Sequence, residues 1–441
     1  MSSISITGGS PVSEPVILTL GASAEAVPFL SLLMDEGLSV VCMDRNPTLP
    51  EEFTARHKGQ LKCLARDFGD IGQAERTVVE EGITHTLALP VGRSLTAMGR
   101  INDRFGFAGP SFAAIDIMTD KLSFHNFQLA NGLNDAGHIV IESGTREETV
   151  SRVEEIEAAL DYPFIAKPVW GSGSQGVRVI KNRNDLLAYE LPERFAGCRL
   201  LLEKMIGGIE FSTNVFVDES SRCHMMGLFR KEITAAPYRQ ESCYFSDEFS
   251  KQSAIIINYM NRICTLLKLS NCFINADVII DGNNRPYIVD ISPRLGGNNL
   301  LRLLRFNGNN PLKIFNQAVI RGIKDVAVNT SQKTAVLRFF NFIRSFCYHQ
   351  HTDDYSAELT GSSSAAKGQI PGSLYNERER QCIVEIVNRL EPGKVYGPMF
   401  SGADTARGHI FVSHESIRTA DELTVRYLNW LIDSSSAVVA C

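Results

Sequence analysis

The amino-acid sequence predicts a protein of mixed α/β and α+β class, in which a parallel α/β domain comes first, antiparallel hairpins follow, and a small α+β unit comes last. Val16–Leu20 and Leu38–Met43 are short apolar strands around a helical stretch, a pattern typical of a parallel sheet. A glycine-rich loop lies between two strands at about 163–180, and two β-branched runs at 273–291 flank a turn-rich segment. From about residue 331, short strands and an amphipathic helix predict the last unit.

Length and composition exclude several classes of protein. The chain has 441 residues, 44% of them apolar and 21% charged, as in ordinary globular proteins. A net charge of −6 without a Lys/Arg block argues against a nucleic-acid partner, and ten cysteines without a C-x-x-C pair indicate reduced thiols. Residues 1–15 form a polar, flexible tail without the features of a signal peptide, and no apolar run is long enough to span a bilayer. We therefore expect a cytoplasmic protein with no membrane partner.

The first domain is assigned to residues 16–110. Its strand–helix–strand opening invites the prediction of a dinucleotide site, but the turn at Gly21 to Ala24 lacks the G-x-G-x-x-G pattern. We therefore predict a nucleotide-free α/β domain and regard a dehydrogenase as the least supported class of enzyme.

The turn-rich hairpin carries the main prediction of a site. If Asn283 and Asn284 form a two-residue turn, Asp277 lies directly opposite Asp290. Like charges at that spacing repel each other, and a bound cation removes the repulsion. Ser292 falls on the same face of the strand as Asp290. Two carboxylates and a hydroxyl suit Mg²⁺ that carries nucleotide phosphates, although an ordinary hairpin with solvated carboxylates is the alternative.

The residues after the hairpin are candidates for binding the reacting groups. The guanidinium of Arg294 is suited to a phosphoryl or carboxylate oxygen. Gly296 and Gly297 offer backbone N–H groups at close approach. Asn298 follows them as a substrate candidate.

A second candidate site is the glycine-rich loop. Lys167 lies in the apolar run PFIAKP, where a lysine needs a partner. The loop that follows can fold over phosphates with its N–H groups, although it is not a P-loop because G-K-[ST] is absent. A flexible turn is the alternative. The candidate phosphate-binding residues of the loop are Gly171, Ser172, Gly173, Ser174 and Gly176.

Three further stretches supply candidate contacts. A strand at 199–202 ends in an acid and a Met, which suits an adenine slot, and Glu210 is placed to reach ribose hydroxyls. Lys121 lies at the start of a helix, and it becomes a candidate binding residue only when it is considered together with the other candidates. The pair Arg230-Lys231 and Arg239 flank a loop that is either an ordinary surface loop or a substrate lid with basic groups for a carboxylate. The candidate adenine residues are Glu203, Lys204, Met205 and Ile206.

Taken in order, these residues resemble the ATP-grasp superfamily, and within it the carboxylate–amine ligases that act on amino acids. The resemblance implies a pre-ATP-grasp domain at 16–110 and a two-part ATP-binding domain at 111–330, with a small lid subdomain at about 135–205. A C-terminal subdomain at 331–441, with a mobile loop at about 352–372, matches only loosely. The residues that carry the resemblance are Lys121, Lys167 with its loop, Glu203 to Ile206, Glu210, Asp277, Asp290, Ser292 and Arg294.

The resemblance also implies a role for each group of residues. Lys121 and Lys167 bind ATP phosphates beneath the glycine-rich loop, the Glu203–Ile206 segment holds adenine, and Glu210 holds ribose. Asp277 and Asp290 bind Mg²⁺, with Mn²⁺ as an alternative metal. The family usually has Glu at the second metal position and Asn at the third, where this chain has Asp290 and Ser292.

The implied reaction joins a small acid or amino acid to an amine. ATP converts the carboxylate to an acyl phosphate, the amine displaces phosphate, and Arg294 with the N–H groups near Gly296 and Gly297 stabilises the oxyanion. Two alternatives stay open. One is activation of bicarbonate or formate, although the chain has no A-M-K-M biotin-carrier motif, and the other is a non-catalytic nucleotide-binding regulatory module. The expected partners are small-molecule acid and amine substrates, and the resemblance favours a homodimer.

Overall fold

The computed structural model describes residues 14–90, 95–171, 174–234, 240–297, 300–330, 333–349, 357–358 and 374–437. Four candidate site residues lie outside these ranges: Ser172, Gly173, Arg239 and Asn298. Most of the predicted tail and most of the loop predicted at 352–372 also lie outside them. No helix in the described ranges has the length and apolar character that crossing a bilayer requires.

The N-terminal domain contains the predicted parallel sheet. Its elements are β1 (Val16–Leu20), α1 (Val27–Asp35), β2 (Ser39–Asp44), α2 (Glu51–Arg56), β3 (Leu61–Ala65), α3 (Ile71–Glu80), β4 (His85–Thr86) and α4 (Leu95–Phe105). The strands lie in the order β3, β2, β1, β4, and each neighbouring pair is parallel. Both faces are buried, as in most parallel sheets, because Ile17 and Leu18 enter two different hydrophobic clusters.

A small antiparallel sheet follows, which we call the lid sheet. Its region comprises α5 (Phe112–Thr119), α6 (Lys121–Ala130), β5 (His138–Ile141), α7 (Arg146–Ser151), α8 (Val153–Ala159), β6 (Phe164–Pro168), β7 (Arg178–Ile180), α9 (Arg183–Leu187) and β8 (Leu200–Lys204). The strand order is β5, β8, β6, β7. Ile156 of α8 packs with Phe164 and Leu202 in the core beneath this sheet. The glycine-rich loop joins β6 to β7 and therefore projects from the sheet edge.

The large sheet has nine strands in the described residues, in the order β13, β12, β9, β10, β11, β14, β19, β17, β16. Its first part comprises β9 (Ile209–Val217), β10 (Cys223–Ile233), β11 (Gln240–Phe245), α10 (Ser250–Leu267), β12 (Cys272–Ile280), β13 (Pro286–Ser292), α11 (Leu300–Phe306) and α12 (Pro311–Phe315). Its second part comprises β14 (Ala335–Phe339), β15 (Phe346–Cys347), β16 (Ala357–Glu358), α13 (Glu377–Cys382), β17 (Ile383–Asn388), β18 (Val395–Tyr396), β19 (Gly408–Ser413), α14 (Ile417–Asp433) and β20 (Ser436–Ala437). Short 3₁₀ turns occur at Ala24–Ala26, Glu193–Phe195, Asp247–Phe249 and Gly402–Arg407, and a π-helical turn occurs at Asn316–Ile320.

The large sheet continues across residue 330, so the C-terminal segment shares its main sheet with the preceding segment. A separate small sheet of three strands lies in the order β18, β15, β20. One face of the large sheet packs against α10 and α14, through residues such as Ile263 and Tyr427. The other face packs against α11, α12 and the N-terminal domain, through residues such as Phe229 and Leu303. Polar residues on this second face, at the β13 end of the sheet, form the site described below.

The hairpin of β12 and β13 has the predicted pairing of Asp277 with Asp290 but not the predicted turn. Asp281 and Arg285 close a loop of three residues, in which Asn284 has a φ of 61°. Val278 pairs with Ile288, and the register shifts by one residue before Asp277 pairs with Asp290. The extra turn residue and the β-bulge therefore offset each other, and the two aspartates still face each other.

Candidate active site

Charged side chains from the lid region, from strands of the large sheet and from the segment after β13 meet between the lid sheet and the hairpin of the large sheet. Lys167 of β6 links the two sheets, because its Nζ lies 3.4 Å from the carbonyl oxygen of Val289 in β13. Every member of this group except Lys231 is predicted from the sequence as an ATP, metal or catalytic residue. We call the group the charged cluster, and its members are Lys121, Lys167, Glu203, Glu210, Lys231, Asp277, Asp290 and Arg294.

The two aspartates each have a lysine beside them. Lys231 Nζ lies 2.9 Å from Asp277 Oδ2, and Lys121 Nζ lies 3.4 Å from Asp290 Oδ1. Opposed carboxylates on neighbouring strands repel each other, and the two ammonium groups offset that repulsion. Both carboxylates are partly exposed, so an incoming cation can reach their oxygens.

Lys231 of β10 is the member of the cluster for which the sequence indicates only a place beside the candidate lid loop. Its Nζ also lies 2.5 Å from Glu210 Oε1, so this lysine bridges the predicted ribose residue and the predicted metal residue Asp277. Burial lowers the pKa of Lys231, but the two carboxylates outweigh burial and hold the pKa well above the usual lysine value. Lys231 therefore carries a positive charge at neutral pH.

Arg230 points away from the charged cluster. Successive residues of a strand point to opposite faces of the sheet, and Lys231 occupies the face of the cluster. The guanidinium of Arg230 lies 4.4 Å from the centre of the Tyr244 ring and 3.6 Å from Glu232. Arg230 therefore lies outside the charged cluster, and its predicted substrate role stays a prediction.

The lid sheet contributes a buried ion pair. Lys167 Nζ lies 2.5 Å from Glu203 Oε1, which supplies the partner that the apolar surroundings of this lysine require. His125 of α6 lies behind the pair, with Nδ1 3.6 Å from Glu203 Oε2 and Nε2 3.1 Å from the carbonyl oxygen of Ala136. Burial raises the pKa of Glu203, but Lys167 and His125 outweigh burial, and the net pKa is below the usual glutamate value. Nothing in the sequence around His125 indicates this contact.

The described part of the glycine-rich loop is tied to Lys121. The backbone N–H of Lys121 donates to the carbonyl of Val169, and its Nζ donates to the carbonyl of Gly171 at 3.0 Å. At the other end of the loop, Gly176 has a φ of 75°, which favours glycine, and its carbonyl accepts from the Tyr189 hydroxyl. Lys121 thus lies between the loop and Asp290, where its ammonium can contact an anion beneath the loop.

The predicted adenine residues lie where the two sheets join. Glu203 and Lys204 are the last two residues of β8, and Met205 and Ile206 begin the connection to β9. Met205 is an exposed apolar side chain, as is Trp170 at the start of the glycine-rich loop. Exposed apolar groups at such positions suit the flat face of a base.

The segment after β13 brings Arg294 close to the aspartates. Burial lowers the pKa of the Arg294 guanidinium, while Asp290 and Asp277 raise it, and the net pKa lies below the usual value. Its Nη1 donates to the carbonyl of Leu295 at 2.7 Å. This guanidinium is therefore a partly buried positive charge near two acids, and its planar donors suit a phosphoryl or carboxylate group.

Gly296 does not have the role that the sequence predicts. Its N–H donates to Asn214 Oδ1 at 3.2 Å, and this bond is buried. A Cβ at this position would lie 2.3 Å from Leu300 Cδ1, so a larger residue would require the Leu300 side chain to shift. Because the N–H is already used inside the protein, Gly296 is not a donor to a substrate oxyanion, and the prediction for Gly297 stays a prediction.

A row of polar side chains lies next to the two aspartates, and Ser292 is the one member of this row that the sequence predicts as a metal residue. Asn275 of β12 pairs with Ser292 of β13 on one side and with Asn214 of β9 on the other. We call these three residues the polar row. The signal for Asn275 is its spacing, since it lies two residues before Asp277 and therefore on the same face of β12.

The donors around the aspartates fit a hard divalent cation. The described residues contain no group of three or more His, Cys, Asp and Glu that could hold a metal ion. The site instead offers two carboxylates with neutral oxygens of the polar row beside them. Mg²⁺ binds proteins through one or two carboxylates and keeps several waters, so this donor set suits Mg²⁺ or Mn²⁺.

Comparison with known proteins gives a domain family for the centre of the chain. A sequence model of the ATP-grasp domain matches residues 160–301, which include most of the charged cluster. Over 211 residues, the chain is 26% identical to pyruvate carboxylase of Aspergillus terreus, covering 43% of this chain and 16% of that protein. Over 316 residues it is 24% identical to the carbamoyl phosphate synthase large chain of Thermoplasma volcanium, covering 67% of this chain and 28% of that protein. The chain thus spans less than a third of the length of these curated relatives.

The fold agrees with the sequence match. L-amino acid ligase from Bacillus licheniformis has a similar structure, with a TM-score of 0.69 at 16% identity, covering 95% of this chain and 98% of that one. The parallel N-terminal sheet and the antiparallel lid and large sheets match the predicted fold class. Residues 160–301 thus match the ATP-grasp domain, and the chain as a whole shares its fold with that solved structure.

Proposed function

We propose that the protein is an ATP-dependent carboxylate–amine ligase, which forms an amide bond from a small acid or amino acid and an amine or amino acid. The charged cluster is the observation that carries this proposal. Two lysines and one arginine lie beside two opposed aspartates, and a third lysine, Lys167, pairs with Glu203 where the lid sheet meets the hairpin. Such an arrangement offers positive charge to phosphates and carboxylates to a divalent cation.

The lid side of the cluster supports a nucleotide site. Lys121 and Lys167 are assigned to the phosphates, beneath the glycine-rich loop that Lys121 contacts. The segment from Glu203 to Ile206 is assigned to adenine, and Glu210 is assigned to the ribose. Because Lys167 is already oriented by Glu203, little reorganisation is needed when a phosphate arrives.

The hairpin side supports a metal site. Asp277, Asp290 and Ser292 are assigned to Mg²⁺, which, when bound, neutralises phosphate charge and orients the nucleotide. Lys231 fixes Asp277, and Lys121 lies beside Asp290. The lysines thus hold both carboxylates in place.

The reaction takes place in two steps. A carboxylate oxygen of the acid forms a bond to the γ-phosphorus of ATP, and the bond to the leaving ADP oxygen breaks, which gives an acyl phosphate. The amine nitrogen then forms a bond to the acyl carbon and loses a proton, and inorganic phosphate leaves with the electrons of the broken C–O bond. Arg294 is assigned to the oxyanion of this second step, because its partly buried guanidinium lies near the aspartates that are assigned to the metal.

The glycine-rich loop is assigned to protecting the acyl phosphate. An acyl phosphate hydrolyses in water, so the site must exclude water between the two steps. The loop lies at the edge of the lid sheet, and its connection to Lys121 gives it a fixed point at one end.

A second candidate function is activation of bicarbonate. The curated relatives are named for a carboxylase and a carbamoyl phosphate synthase, whereas the similar solved structure is named for an amino acid ligase. Both reactions activate a carboxylate through ATP at the same kind of site. They differ in the acid, and the positive charges of the charged cluster suit the carboxylate group that both acids contain.

The first experiment is to measure ADP and phosphate release with Mg-ATP and a panel of amino acids, offered singly and in pairs. Release that needs a pair, with a product mass equal to the sum of the two minus water, is the expected result. Release with bicarbonate but with no amino acid would replace the ligase by the second candidate. ATP binding without release on any acid would favour a regulatory module and overturn both.

A further inference from the structure

The polar row lies beside the two aspartates in a fixed geometry. Asp290 and Ser292 are two residues apart on β13, and their partners on β12 are Asp277 and Asn275. All four side chains are on the same face of the sheet, because residues two apart on a strand share a face. The aspartates are therefore flanked by one hydroxyl and one amide.

The amide of Asn275 has a defined orientation. Its Nδ2 lies 3.3 Å from the carbonyl oxygen of Thr213 and 3.4 Å from Ser212 Oγ. A carbonyl oxygen only accepts hydrogen bonds, so the NH₂ group must face it. Both acceptors belong to β9, on one side of β12. Oδ1 is therefore turned towards the other side, where β13 carries Asp290 and Ser292.

The other amide of the polar row is not available in the same way. Asn214 Oδ1 accepts the buried N–H of Gly296, which holds the segment after β13 in place. Asn214 is also separated from the hairpin strand β13 by the whole width of β12. Of the two asparagines, only Asn275 has a carbonyl oxygen turned towards the aspartates.

We propose that Asn275 Oδ1 is a ligand of the divalent cation held by Asp277 and Asp290. This inference rests on the metal site of the proposed function. Two carboxylates balance the charge of the cation, and an amide oxygen adds a neutral donor without adding charge. The amide oxygen of asparagine also extends one bond further from the backbone than the hydroxyl of Ser292. The amide oxygen of Asn275 therefore has the longer reach of the two, and we expect the hydroxyl of Ser292 to contribute less.

Two substitutions separate this role from the structural role of the amide. Asn275→Leu and Asn275→Asp both remove the NH₂ group that bonds the Thr213 carbonyl, but only the aspartate keeps an oxygen for the metal. We would measure the binding of Mn²⁺ in the presence of ADP from the loss of the free Mn²⁺ signal in electron paramagnetic resonance. We expect Asn275→Leu to bind Mn²⁺ about tenfold more weakly, and Asn275→Asp to bind at least as tightly as the wild type.

The comparison with Ser292 completes the test. Ser292→Ala should weaken Mn²⁺ binding less than Asn275→Leu does. Equal Mn²⁺ affinity in Asn275→Leu and the wild type would overturn the assignment, and so would equal losses in the leucine and aspartate variants. If the leucine variant does not fold by circular dichroism, Asn275→Ser, which draws the oxygen back by one bond, must show the loss instead. A wild-type protein that does not bind Mn²⁺ with ADP would instead overturn the proposed function itself.

Discussion

The lid side and the hairpin side of the charged cluster both pair lysines with acids, but they differ in exposure. On the lid side, the side chains of Lys167 and Glu203 are 8% and 14% exposed. On the hairpin side, Asp277 and Asp290 are 29% and 49% exposed. The lid pair therefore has its charge balanced inside the protein, whereas the hairpin acids keep oxygens that a ligand can reach.

This difference in exposure predicts different roles for the lid side and the hairpin side. A buried ion pair is expensive to break but changes little when a ligand binds, so the lid pair is suited to fixing a nucleotide. Partly exposed acids next to lysines can exchange their partners for a metal and phosphates. Substitutions on the hairpin side should therefore affect turnover most, and substitutions on the lid side should affect nucleotide affinity and stability.

The largest effect is expected on the hairpin side, from Asp290→Asn. This change removes half of the negative charge proposed to hold the metal, and turnover should fall by at least about 1,000-fold. Steady-state ADP release measures the loss. Asp135→Asn, at an exposed residue that pairs with the hairpin loop through Arg285, is the matched control and should keep normal turnover. Near-normal turnover in Asp290→Asn, with native circular dichroism, would remove the metal assignment.

The next effect is expected from Arg294→Ala. Loss of a guanidinium that stabilises an oxyanion should lower kcat by about 100-fold and leave the KM for ATP within a few-fold. Arg305→Ala, at an exposed arginine of α11, provides the control for loss of a surface charge. A large rise in the KM for ATP without a fall in kcat would instead make Arg294 a contact of the bound nucleotide.

The hairpin shows how far local sequence patterns reach. Alternating apolar residues and turn-forming residues predict two strands and bring Asp277 opposite Asp290, and the structure has this pairing. The two-residue turn at Asn283 and Asn284 is wrong, and so is the uniform register behind it. A β-bulge depends on how β13 meets the rest of the molecule, which no short pattern encodes, and here it compensates for the longer turn.

Residues that act through distant partners are the ones that sequence patterns miss. Lys231 looks like half of a surface basic pair until the sheet brings Glu210 and Asp277 to it. The contacts of His125 and Asn275 are likewise with strands that lie far away in the chain. The sequence predicts Gly296 as an N–H donor to the substrate, and the three-dimensional fold supplies Asn214 as the acceptor of that N–H. Ordered motifs thus predict which segments meet, and packing decides which atoms are still available.

A smaller effect is expected on the lid side, from Lys167→Met. Removing a charged hydrogen-bond donor to a phosphate should weaken ATP binding roughly 10–100-fold, since such bonds contribute about 1.5–3 kcal/mol. Isothermal titration with ATP, or with a non-hydrolysable analogue, measures the change. Lys181→Met, at an exposed lysine just after β7 in the lid region, is the matched control. Unchanged nucleotide affinity in Lys167→Met would take this lysine out of the phosphate site. It would also contradict the assignment of nucleotide binding to the lid side and of turnover to the hairpin side.

The smallest effect is expected in the pH dependence of stability. Burial raises the pKa of Glu203, but Lys167 and His125 lower it more, so the folded protein binds a proton at Glu203 less readily than the unfolded chain does. The ionised carboxylate therefore stabilises the fold above the ordinary glutamate pKa of 4.5, and this contribution is lost as the pH falls through the lower folded value. Urea unfolding should show that Glu203→Gln is less stable than the wild type near neutral pH, with a difference that shrinks in acid. Glu190→Gln, at an exposed glutamate of the lid region, should show no such trend. A difference in stability for Glu203→Gln that stays constant with pH would mean that the amide disturbs packing alone. The charge of the Glu203 carboxylate would then not contribute to the stability of the lid pair.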